Sequence, residues 1–116
     1  MTASLQPQAW AFVGHLVWKF PLLEAAFAEH IDDQRGTLLP HVFMAEVERW
    51  AESLIESSPS LLGALLDELE RAVLRGDDAV VNLIDVSFVE NLPYPDQPAA
   101  AIRSMLPENV AKLLRH

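Results

Sequence analysis

Apolar positions recur at helical spacing through most of the chain, and proline and glycine mark the breaks between the runs. In the first run Trp10, Val13, Val17 and Phe20 share a face, with His15 and Lys19 on another. Pro21 suits the first turn of a second helix, where its missing N–H costs no hydrogen bond. Leu23, Ala26, Phe27 and His30 carry that helix on, and Gly36 stops it. Pro40 opens a third helix on which Phe43, Val47, Trp50 and Leu54 fall in a narrow arc. The same arc places Glu48, Glu52 and Glu56 on the opposite side, one turn apart, where like charges repel. Arg49 offsets only part of that repulsion. The pattern predicts an acidic ridge facing solvent or a partner, with nothing to raise the pKa of its carboxyls.

The run Ser57, Ser58, Pro59, Ser60 breaks the third helix and caps the next. Leu62, Leu65, Leu66, Leu69 and Val73 give the fourth helix its apolar face, with Asp67 and Arg71 paired on the far side. Gly76 closes it, and Asp77 and Asp78 supply carboxylates for a fifth N-terminus. The segment 79–92 reads two ways. Val80, Val81, Ile84, Phe88 and Leu92 fit a wide helical face, whereas Ile84, Val86 and Phe88 alternate with polar residues as in a strand. A strand needs a partner and the chain offers no second one, so helix is the expectation, packed on more than one side. Residues 93–98, rich in proline, predict a rigid extended loop. A short helix over Ala99–Met105 and a last one opened by Pro107 and Glu108 complete the chain, with Val110, Leu113 and Leu114 docked on the core. The fold class is therefore all-α, one domain over 1–116 with a core of about 8–115 and a flexible 1–7. Six to seven helices form either an irregular bundle or a short stack of helix pairs.

At 116 residues and 51% hydrophobic content, one core forms without staples. There is no cysteine, which removes disulfides, thiolate metal sites and a thiol nucleophile. No secretory signal and no apolar run of bilayer length is present, so the cytoplasm is the expected location. Net charge is −9, and it is uneven: residues 46–96 hold twelve acids and three bases. That sign opposes DNA, RNA and anionic membranes as partners and attracts a basic protein surface. The plainer alternative is that the acids keep an apolar protein in solution.

The chain shows no nucleophile elbow, no glycine-rich phosphate loop and no H-E-x-x-H. Glu29, His30, Asp32 and Asp33 are the one metal-like cluster, but no second histidine stands at ligand spacing. His30 is read as a half-buried histidine bonded to a neighbour, His41 as a helix-start residue, and His116 as a mobile terminal group. Trp10 and Trp50 sit on apolar stripes and are expected in the core; Trp18 lies off its stripe and is the better surface candidate. No catalytic residue, cofactor or metal is expected.

Three stretches carry a resemblance: Phe20-Pro21-Leu22-Leu23 leading to Glu29-His30, Leu39-Pro40-His41-Val42-Phe43, and the run from Asn82 to Leu92. Their order and spacing over about residues 17–115 resemble a family of small, largely uncharacterised bacterial helical proteins. Some of its members look like immunity proteins of polymorphic toxin systems. The resemblance implies a cognate toxin, blocked by one-to-one binding. On the residues themselves, Glu48, Glu52, Glu56, Asp85, Glu90, Asn91, Tyr94 and Asp96 are the candidate contact positions, with Tyr94 the best single anchor. The rival expectation is a helical adaptor or a self-associating module, a homodimer with an apolar surface patch. An enzyme would need a polar pocket holding perturbed groups.

Overall fold

The structure, a computed structural model, describes residues 7–115. Among them are seven α-helices and no strand: α1 (Pro7–Lys19), α2 (Glu24–Asp33), α3 (Pro40–Ser57), α4 (Pro59–Arg75), α5 (Asp78–Ser87), α6 (Ile102–Met105) and α7 (Glu108–Ala111). Short 3₁₀ turns cover Pro21–Leu23 and Val89–Asn91. The expected flexible 1–7, apart from Pro7 at the start of α1, and the expected mobile His116 lie outside the described residues.

Prolines at 21, 40 and 59 all stand in first turns, as their fixed φ and missing donor dictate. Gly36 and Gly76 adopt positive φ, 85° and 76°, and end α2 and α4; the Gly36 N–H reaches the carbonyl of Ile31 at 2.7 Å. Asp77 caps α5, its Oδ1 accepting from the N–H of Val80 at 3.1 Å.

On α1 the buried stripe is Ala9, Phe12, Val13 and Leu16, running on to Phe20. Trp10, expected in the core, is 41% exposed, because Ala9 and Phe12 rather than Trp10 and Val17 face inward. Trp50 packs against the core edge-on to Phe20, and Trp18 is 76% exposed, as the stripes predict. Segment 79–92 is helical, but α5 stops at Ser87 and tightens into the 3₁₀ turn. Val80, Leu83, Ile84, Phe88, Val89 and Leu92 are all buried, which accounts for its β-branched composition without a sheet. Residues 94–97 form a closed turn rather than an extended loop: the Gln97 N–H donates to the Tyr94 carbonyl at 2.9 Å, and the Tyr94 N–H donates to Gln97 Oε1 at 2.6 Å. The helix expected from Ala99 is a series of turns until Ile102.

The architecture is an irregular bundle and not a stack of pairs. α3 packs on α1, α2, α4 and α5, and α5 reaches back to α1, contacts that a one-dimensional stack does not make. His30 locks α2 to α3. The Leu39 N–H donates to its Nε2 at 3.0 Å, so Nδ1 carries the proton and donates to Glu46 Oε2 at 3.3 Å. The ring is buried edge-on against Phe43, more deeply than the half-burial expected of it. No single helix among the described residues is long and apolar enough to cross a membrane.

Candidate functional site

Because α3 is central, its buried arc is wider than one stripe. Met44, Glu48 and Ala51 form a second buried row beside Phe43, Val47 and Leu54. The expected three-carboxylate ridge is therefore broken at its first member: Glu48 is 1% exposed, Glu52 is half-buried, and Glu56 is exposed. Glu48 Oε2 is buried without a hydrogen-bond partner. Its carboxyl is pushed up to about 9, first by burial, then by the hydrogen bond and negative charge of Glu52, with Arg49 pulling weakly the other way. The expectation of unperturbed carboxyls fails at this residue for that reason. At pH 7 Glu48 is neutral.

Above Glu48 is an open cleft of about 480 Å³, walled by Glu48, Arg49 and Glu52 on α3 and by Asn91, Pro93, Gln97, Pro98 and Ala99 opposite. The Asn91 amide donates to the Ser87 carbonyl at 2.9 Å, which leaves its Oδ1 as the accepting atom. Glu52 also borders a second hollow of about 320 Å³ with Glu56, Ser53, Ile55, Pro98, Ala99 and Ala101. The turn at 94–97 that shapes this region is tied down by Arg103, whose Nη1 donates to the Pro93 carbonyl at 2.9 Å.

The eight candidate contact residues thus separate. Glu48, Glu52 and Asn91 meet in the cleft, and Glu56 lies in the adjoining hollow. Asp85 and Glu90 are held elsewhere by Arg115, which donates to both Asp85 oxygens at 2.7 Å and to Glu90 at 3.1 Å. Tyr94 borders that group across a pocket of about 340 Å³ with Val89, Glu90, Leu114 and Arg115. Asp96 is exposed on the turn.

Two arrangements went unread in the sequence. Glu68, buried on α4, accepts from His15 at 2.7 Å and from Arg71 at 3.0 Å, with Lys19 at 4.0 Å; Arg71 therefore pairs with Glu68 and not, as expected, with Asp67. His41 stands in the first turn of α3, and its Nδ1 shares a 2.6 Å hydrogen bond with the buried hydroxyl of Ser87, tying α3 to α5. With Ser87 covered, this pair is a helix-to-helix tie and presents no attacking hydroxyl. Among the described residues no group of three or more histidines and carboxylates is arranged to hold a metal. His30 in particular is turned into the core, away from exposed Glu29, Asp32 and Asp33.

A family model described as a domain of unknown function, DUF7674, matches residues 14–116. The chain belongs to that family. No curated protein and no solved structure matches the chain. The cleft, the Glu68 cluster and the His30 lock all fall within the matched span of this DUF7674 domain.

Proposed function

We propose that this DUF7674 domain is a non-catalytic protein-binding domain whose partner presents a basic surface. The partner is a toxin that the domain neutralises by one-to-one binding, as the resemblance to immunity-type proteins implies. The observation that carries the reading is the cleft on α3, whose carboxyls belong to the segment 46–96 that holds the whole −9 of net charge. An excess of negative charge on a firm helical frame steers an oppositely charged partner into register and raises its association rate. A nuclease toxin, with a basic phosphate-binding surface, fits that sign.

A second reading, self-association, is favoured by one feature. Trp18 and Leu22, 76% and 69% exposed, stand at the α1 corner, Leu22 beside a small apolar hollow bounded by Phe20, Trp50 and Leu61. Sedimentation separates the two readings: a concentration-dependent dimer lost in Trp18→Ala supports self-association, and a monomer throughout removes it.

The first reading is tested by co-expressing the domain with a toxin domain encoded beside it. Growth rescue together with a stable one-to-one complex is the expected result. Glu52→Lys is expected to slow association at least about tenfold at low salt and less at high salt. Rescue without any complex refutes occlusion.

A further inference from the structure

We infer that the cleft between α3 and the 91–99 turn is a guanidinium socket, in which Glu48 and Glu52 receive an arginine side chain of a bound protein and the Asn91 carbonyl oxygen closes the rim. The inference rests on the protein-binding reading above and names the group it recognises.

Glu48 is the reason. A carboxyl that is 1% exposed, with one oxygen lacking any partner, is a deficit that a folded domain removes unless something else fills it. The groups around it do not fill it. The charges acting on Glu48 are those of Glu52, a second acid, and of Arg49, whose side chain is exposed. The 3₁₀ turn and loop packed opposite bring the uncharged amides of Asn91 and Gln97, and Glu90 on that turn is engaged by Arg115. Arg49 lines the cleft but makes no hydrogen bond to Glu48 Oε2, so a positively charged donor to that oxygen is what is missing.

Guanidinium meets that requirement better than the other cations. Its planar fork donates in parallel to neighbouring carboxylate oxygens, and it is weakly hydrated, so a half-buried site costs it less than it costs an ammonium. A metal ion is served less well, since among the described residues no third carboxylate or histidine joins the two carboxyls. The cleft, about 480 Å³, is of ligand-site size, with room for a side chain and its flanking backbone. Entry of the cation favours ionised Glu48, so binding releases a proton from its carboxyl to solvent.

The probe is N-acetyl-arginine amide, titrated into the full chain carrying ¹³C-carboxyl glutamate, with N-acetyl-lysine amide and Mg²⁺ as the other arms. The Glu48 and Glu52 carboxyl signals and the Asn91 side-chain amide are expected to shift together, with Kd of about millimolar for so small a ligand. Lysine amide should bind at least about fivefold more weakly. Glu48→Gln and Glu52→Gln should each weaken the arginine probe about tenfold or more, while Asp32→Asn on α2 leaves it unchanged. Binding should tighten from pH 6 to pH 9, and the probe should lower the pH at which Glu48 titrates. Equal binding to the wild type and to both glutamine variants overturns the socket, as do shifts confined to other residues or a stronger response to Mg²⁺. Toxin neutralisation that survives such a failure leaves the protein-binding reading standing; a functioning socket in a chain that captures no toxin does the reverse.

Discussion

Glu48 and Glu68 are both withdrawn from water, at 1% and 7% exposure, yet their surroundings are opposite in sign. Around Glu68 burial also opposes the charge, but the His15 hydrogen bond and the charges of His15, Arg71 and Lys19 outweigh it and hold the carboxyl below its ordinary value. Glu48 has another acid beside it and an oxygen with no partner, so burial prevails and the group is neutral. The first carboxylate joins α1 to α4 and serves the fold. The second destabilises the fold, and a group kept against its own stability cost points to use.

The largest expected effect follows from that cost. Between the ordinary value of 4.5 and the folded value of about 9 the folded state holds a proton that the unfolded chain has lost, so stability falls as pH rises through this window. At pH 7 the deficit is roughly 3 kcal/mol, taking about 1.4 kcal/mol per pH unit. Glu48→Gln keeps the shape and a donor toward Glu52 while removing the titration. It should be more stable than the wild type by roughly 2–3 kcal/mol at pH 7, the gain shrinking below about 1 kcal/mol near pH 5. Urea unfolding at several pH values measures this. Parallel curves from pH 5 to pH 8 would erase the contrast between the two glutamates.

Glu68→Gln should act in the other direction and less strongly, losing roughly 1 kcal/mol at pH 7, since its cationic partners are partly to largely exposed and screened. Its lowered pKa fixes the sign. The stabilisation is complete above the ordinary carboxylate range and disappears as pH falls through the depressed folded value. At pH 7 the two variants therefore depart from the wild type in opposite directions, and both departures shrink in acid. If Glu68→Gln instead differs from the wild type as much in strong acid as at pH 7, the cluster is not acting through its charge.

How far each glutamate could be read from sequence depends on what surrounds it along the helix. The all-α class, the proline-opened helices, the glycine stops and the Asp77 cap are local consequences of residue type, and each was legible. Helix, not strand, over 79–92 was legible from the lack of a pairing partner. Reading α3 as a surface helix with one narrow stripe misplaced Glu48, although Met44, Ala51 and Ile55 beside it already widened the apolar arc. Glu68 likewise stands between Leu65 and Ala72 on a buried flank, and Arg71 three residues on was its natural partner. The ties of His41 to Ser87 and of Arg115 to Asp85 span 46 and 30 residues, and no helical periodicity encodes such pairs. Asp85 and Glu90, chosen as contact residues on charge, are answered within the chain by Arg115, and only the fold reveals it.

Glu70 provides the smallest test and the cleanest third case. It accepts the N–H groups of Asn109 and Val110, each at 3.0 Å, and the Asn109 side-chain amide at 2.8 Å, so a residue of α4 supplies the capping carboxylate of α7. Burial works against its charge, yet the Asn109 and Val110 hydrogen bonds outweigh it and hold the carboxyl below its ordinary value. Unlike Glu68 it is satisfied chiefly by neutral donors, with the Lys112 charge adding the least. Glu70→Gln keeps the shape but replaces one accepting oxygen with a donor amide, and is expected to cost about 1 kcal/mol, the scale of a lost helix cap. The loss should be local: amide exchange should quicken over residues 109–114 and stay unchanged in α3 and α5. Uniform quickening through the bundle would mean that α7 unfolds only with the core. Docking of Val110 would then hold the C-terminal turn, and the carboxylate would add little.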